Sequence, residues 1–152
     1  MNKTDQAFAA LEQVLTLSGA DERLPMPSVN DSRLDTFDET GRQLALRKGD
    51  TLIIGREVGD DGEEQFELQL EVEILFAVAG DDVTARSLKV AEGEAAFGDL
   101  LFADETLGGQ VDELSIQDVI ERSVIHDERR AVPVQVVRFT VALLHSAPTV
   151  FG

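Results

Sequence analysis

Two histidines are the chain's only imidazoles, and they are the first residues to examine for chemistry. His126 sits in Val124-Ile125-His126-Asp127-Glu128, where a neighbouring carboxylate could orient the ring as a general base. Such a base needs a nucleophile to serve. The chain has no Cys and no Gly-x-Ser-x-Gly turn, so His126 is expected as a loop histidine. His145, at the end of an apolar strand, is expected as either a structural or an exposed residue. The run Asp60-Asp61-Gly62-Glu63-Glu64 offers the hard oxygens that calcium takes, but not the ligand spacing of a helix-flanked calcium loop. It is expected as a solvated acidic turn without a specific metal site. Glycine patterns that cradle phosphate are missing, and Gly108-Gly109 reads as a turn needing positive φ. No catalytic residue, metal ligand or cofactor is expected, and the chain is not expected to be an enzyme.

The elements that would position these groups follow from periodicity. Asn2 or Thr4 can cap a first helix in which Phe8, Leu11 and Leu15, flanked by Val14, form one apolar face, with Gly19 as its stop. Pro25 and Pro27 bracket Met26 and favour an extended stretch near Val29. The acidic segment from Asp31 reads as a loop, and a mobile loop is expected near 31–49. Thr51 to Val58 is a β-rich run, and Asp61-Gly62 is a favoured hairpin dipeptide. Next, Phe66, Leu68, Leu70, Val72, Ile74, Phe76 and Val78 alternate without a break, with Glu67, Gln69, Glu71 and Glu73 pointing the other way. That pattern is a strand with one buried face and one acidic face.

A second helix is predicted over Val83 to Ala103, with Leu88, Ala91, Ala95 and Phe102 near one stripe and Phe97 and Leu101 beside it. Gly93 and Gly98 inside it imply a break or close packing. Leu107-Gly108-Gly109 turns into a short strand, Val111 to Ile116, and Gln117 to Arg130 is left as loop, short helix or frayed strand pair. The final strand, Val134 to Ser146, alternates Val137, Phe139, Val141 and Leu143, and a short tail occupies 147–152. The sum is one α+β domain over 1–152, a mainly antiparallel four- or five-stranded sheet with two helices packed on one face.

Charge narrows the partners. The 152 residues carry 30 acidic and 13 basic side chains, a net charge of −17, with only three lysines. Such a surface repels nucleic acid and anionic headgroups, so DNA or RNA binding and membrane binding are not expected. The start Met1-Asn2-Lys3-Thr4-Asp5 is followed by no leader-like apolar run, and the longest such run, Ile74 to Ala79, is far shorter than the ~20 residues of a membrane span. From Glu57 to Glu73 there are eight carboxylates and no Lys or Arg. Asp60, Asp61, Glu63, Glu64, Glu67, Glu71 and Glu73 are thus the candidate partner face. A solvated strand bearing anti-aggregation charge would also explain them.

The order of elements, with Asp104-Glu105-Thr106-Leu107-Gly108-Gly109-Gln110-Val111 before the last strand Val136-Val137-Arg138-Phe139-Thr140-Val141-Ala142, resembles the tail terminator (tail completion) proteins of long-tailed phages and phage-like particles. The resemblance runs over nearly the whole chain. It implies a homo-hexamer ring that ends the tail tube, with the tail tube protein and the head–tail connector protein as partners and DNA passing through without specific binding. It implies assembly in the host cytoplasm and a final place in the virion, at the head-proximal end of the tail. Under it the acidic face becomes a lumen that repels phosphate, and Leu107, Gly108 and Gly109 become an assembly turn. Ring closure among copies this acidic should favour raised salt or divalent cations. The rival expectation is a secretion chaperone, or another acidic protein-binding module, acting as a dimer.

Overall fold

The computed structural model describes residues 1–16, 22–29, 34, 37–126 and 130–152. They form α1 (Lys3–Thr16), β1 (Pro27–Val29), β2 (Arg42–Val58), β3 (Glu64–Ala79), α2 (Val83–Leu101), β4 (Glu113–Ile125) and β5 (Val134–Ala147). The strands make one five-stranded sheet in the order β1-β2-β3-β5-β4. Every pair is antiparallel except β1 with β2, which is parallel, so the fold is α+β with a mostly antiparallel sheet.

Asn2 caps α1: its Oδ1 accepts the Asp5 N–H at 2.8 Å and its backbone oxygen accepts the Gln6 N–H at 3.0 Å. Phe8, Leu11 and Leu15 are buried as their spacing predicts, joined by Ala7. Thr4, the other capping candidate, is buried within the helix. Gly19 lies outside the described residues. On β3 every second residue from Leu68 to Val78 is buried, and these meet Val137, Phe139, Val141 and Leu143 of β5 in a core shared with both helices.

The segment expected as a loop near 31–49 is in its second half a strand. Asp38 Oδ1 accepts the Thr40 and Arg42 N–H groups at 2.9 and 3.0 Å, and Gly41, at φ 78°, turns the chain into β2. Leu44 and Leu46 then face the helices while Ala45 joins a smaller core on the other face, so no alternation is visible in the sequence. Gly49 and Asp50 form a bulge between Lys48 and Thr51. The part of this loop that is described also has a packing role. Leu34 and Phe37 lie against Ala45, Leu75, Ala77, Val134 and Val136 on the far face.

The stripe predicted on α2 is misphased. Leu88 and Phe102 are exposed, and the buried face is Arg86, Val90, Gly93, Ala96, Phe97 and Leu101. A buried arginine and a glycine belong to that face, which hid its phase from a count of apolar residues. Arg86 is accommodated because its Nη1 donates to the Gly80 carbonyl at 2.7 Å and its Nε to Gln135 Oε1 at 3.3 Å. Gly93 is bare because the Phe76 ring fills the space: a β-carbon there would stand 2.2 Å from Phe76 Cε1. Close packing, not a break, is its role. β4 also outruns its expectation, continuing past Ile116 through a bulge to Ile125.

Candidate functional site

The two faces of the sheet differ in chemistry. The face that meets α1 and α2 is apolar; the far face carries Glu67, Gln69, Glu71 and Glu73 of β3, all half-buried, beside Thr140, Ala142 and Ser146 of β5. Leu75 and Ala77 continue the same face into the small core beneath Leu34 and Phe37. One half of the far face is therefore apolar and covered, the other polar and open. The open half holds a groove of about 810 Å³ lined by residues including Gln69, Glu73, Gln117, Asp118, Glu121, Arg138 and Thr140.

Seven acidic candidates divide into two groups. Asp60, Asp61 and Glu63 lie in the turn between β2 and β3, and Glu64 begins β3. Asp61 is a turn bracket: its Oδ1 accepts the Glu63 N–H at 3.0 Å, while Gly62 at φ 81° lets the Gly59 N–H reach the Glu63 carbonyl at 2.8 Å. Glu64 pairs with Arg56 across the hairpin. Glu67, Glu71 and Glu73 form the second group, further along the strand. Gln117 Nε2 donates to Glu71 Oε1 at 2.9 Å, and Arg138 bridges Glu73 at 3.7 Å and Glu121 at 3.8 Å. These ion pairs are exposed enough to be worth only ~0–1 kcal/mol each, so they set the local field more than the stability.

Arg138 is the residue the sequence reading missed. Its register opposite Leu75 on the outward face of β5 was its only signal. Among the described residues no group of three or more His, Cys, Asp or Glu side chains is placed to hold a metal ion. No helix there is long and apolar enough to cross a membrane.

Leu107, Gly108 and Gly109 stand together in a loop with three successive left-handed residues, at φ 49°, 69° and 85°. Leu107 adopts that geometry despite its β-carbon because its side chain is buried in the main core. Asp104 holds the loop, its two oxygens accepting from the Thr106 hydroxyl at 2.7 Å, the Thr106 N–H at 3.0 Å and the Gly108 N–H at 2.8 Å. The Thr106 hydroxyl first, then the two backbone N–H groups, hold its pKa below the ordinary 3.8. A depressed carboxylate pKa contributes stability above the unfolded value and loses it as pH falls through the folded one. Asp104→Ala should therefore unfold at a lower temperature than the parent chain at neutral pH, and the gap should close in acid below about pH 4. Thermal unfolding at a series of pH values tests this.

The histidines take structural and exposed positions. His126 is exposed, and the Asp127 and Glu128 that would orient it lie outside the described residues. His145 is 2% exposed, with Nδ1 3.0 Å from the Leu143 carbonyl and Nε2 2.8 Å from Thr4 Oγ1. A carbonyl only accepts, so Nδ1 carries a proton, and in the neutral ring Nε2 accepts from the Thr4 hydroxyl. This bond ties the first turn of α1 to β5. Thr4→Val keeps the shape but leaves Nε2 buried without its donor, which should cost about 1–3 kcal/mol in chemical denaturation.

No protein-family model matches the chain, and no curated protein sequence matches it either.

Proposed function

We propose that this chain is the ring-forming structural subunit that ends the tail tube of a long-tailed phage or phage-like particle and joins it to the head connector. The observation that carries the reading is the division of the far face of the sheet. An open, carboxylate-bearing half lies opposite the helix-bearing face in a chain of net charge −17. Turned toward a channel, Glu67, Glu71 and Glu73 repel phosphate, so DNA slides past without being gripped. The resemblance in element order, including the turn at Leu107, Gly108 and Gly109, supports the same reading. The partners are then further copies of the chain, the tube protein below and the connector above.

Native mass spectrometry of the purified protein at high concentration, with and without magnesium, tests the ring. Six-subunit species, promoted by the divalent cation and seen as rings in negative stain, are expected. A stable dimer with nothing larger would point instead to a chaperone, and a monomer under every condition would count against both.

A further inference from the structure

Besides the short edge strand β1, two strands of the sheet have an open side among the described residues. β4 is hydrogen-bonded to β5 alone, and β2 beyond Leu46 is paired only with β3 among the described residues. An unpaired strand edge is a template for another strand, and proteins ordinarily protect it with charge or keep it short. Here both edges carry exposed apolar side chains among their charged ones. Ile53, Ile54 and Val58 of β2 and Val119, Ile120 and Val124 of β4 are between 42% and 67% exposed. We propose that these edges pair with each other between copies, the β2 edge of one chain joining the β4 edge of the next. The inference rests on the ring reading and specifies the joint that closes it.

Three observations select a second copy as the occupant. First, formal charge is complementary: the open stretch of β2 from Arg47 to Val58 carries three basic and two acidic side chains, Lys48 and Arg56 already pairing with Asp5 and Glu64, whereas β4 carries three acidic and one basic. A net-positive strand in so acidic a chain meets its opposite on another copy of itself. Second, the strand directions agree. β3 runs against β2, β5 against β3 and β4 against β5, so copies related by rotation about an axis along the strands bring β4 and β2 together antiparallel. Third, an apolar slot of about 220 Å³ lies beside β4 on the helix-bearing face, between Phe97 and Gly98 of α2 and Ile116 and Ile120 of β4. Ile53 is paired with Leu68 and so stands on that same face, ready to enter the slot of a neighbour.

The joint is head-to-tail, and a head-to-tail joint closes into a ring when its rotation divides a full turn with no rise along the axis. The bulges between Lys48 and Thr51, Ile53 and Gly55, and Ile116 and Ile120 break each edge into short stretches. Such interruptions favour one specific partner over indefinite sheet growth.

Complementing variants test the proposal. Ile53→Glu blocks the β2 edge and Val124→Lys the β4 edge, each placing on its edge the sign of charge that the facing edge carries in excess and, at exposed positions, having little effect on folding. Each alone should associate about tenfold more weakly or worse than the parent chain, a change of roughly 1.4 kcal/mol. Mixed together, they should recover one-to-one dimers through the one intact edge that each retains. Circular dichroism and thermal unfolding check that both variants are folded. If either variant alone forms dimers through its remaining edge, the edges pair with their own kind and the head-to-tail joint is overturned. If both variants form six-subunit rings like the parent, the joint is overturned while the ring reading survives. A parent chain that stays monomeric with magnesium overturns both.

Discussion

Replacing Gly93 by valine is expected to lower the stability of the fold by about 1–3 kcal/mol, a fall in Tm of roughly 2–12 °C for a chain of this size. The added β-carbon would stand 2.2 Å from Phe76 Cε1 and 2.6 Å from Cζ, closer than atoms approach. Phe76 cannot yield easily. Its side chain is fully buried, and its ring sits edge-on to Phe97 at 5.8 Å, with Phe97 in turn edge-on to Phe139 at 5.2 Å. Relief would have to come from lifting α2 off the sheet. Gly98 is the internal control, since a β-carbon there meets nothing within 4 Å. Gly98→Ala should stabilise by up to about 1 kcal/mol through helix propensity. Opposite shifts from two glycines of one helix, measured by thermal unfolding, are the expected signature. An unchanged Tm in Gly93→Val would mean that α2 is not seated on Phe76.

Neutralising the open face is the second large effect. Glu67→Gln, Glu71→Gln and Glu73→Gln together reduce the charge of each copy from −17 to −14. If copies assemble around a channel, these carboxylates are concentrated within a few Debye lengths of one another and of the DNA, and each Debye length is ~8 Å at physiological salt. The triple variant should assemble at lower magnesium or salt than the parent, because less repulsion needs screening. Particles built with it should deliver DNA less well. If each carboxylate's repulsion is of the size of an exposed charge pair, ~0.2–1 kcal/mol, three add up to about the 1.4 kcal/mol of a tenfold change, so an infectivity loss on that order is expected. Unchanged assembly thresholds together with unchanged particle yield and infectivity would sink the channel assignment.

The sequence announced the elements whose two faces differ. β3 alternates through seven apolar positions, β5 through four, and α1 shows its stripe, so each was legible from period alone. Elements whose faces do not differ in polarity were not. The first half of β2 is covered on both sides near Ala45, which removes the alternation that marks a strand. β4 fails for the opposite reason, being exposed on both sides over most of its length. On α2 the buried face includes Arg86 and Gly93, whose fitness depends on Gly80, Gln135 and Phe76, all distant in sequence.

The acidic residues were all visible in the sequence, but their grouping was not. Asp61 serves its own turn, Glu64 pairs across the hairpin, and Glu73 shares Arg138 with Glu121. Sequence spacing turns Arg138 to the outward face of β5 but does not bring it to Glu73 and Glu121, because strand pairing alone sets β5 beside β3 and β4. The exposed apolar edges escaped for a related reason. A run such as Leu52-Ile53-Ile54 reads as β-rich, and only the sheet order shows that, among the described residues, it has β3 on one side and no strand on the other.

The place of β5 in the sheet has a kinetic consequence. It is the last strand in chain order, yet it lies between β3 and β4 and supplies Val137, Phe139, Val141 and Leu143 to the core. During synthesis β3 and β4 must wait for it, with their inner edges unsatisfied and Phe76 without Val137 beside it. Nucleation through such distant pairings is slow, because loop-closure entropy is lost before the contacts that offset it form. Interruption of synthesis before Val134 would leave a chain with adhesive edges and no closed core, a natural substrate for chaperones and proteases.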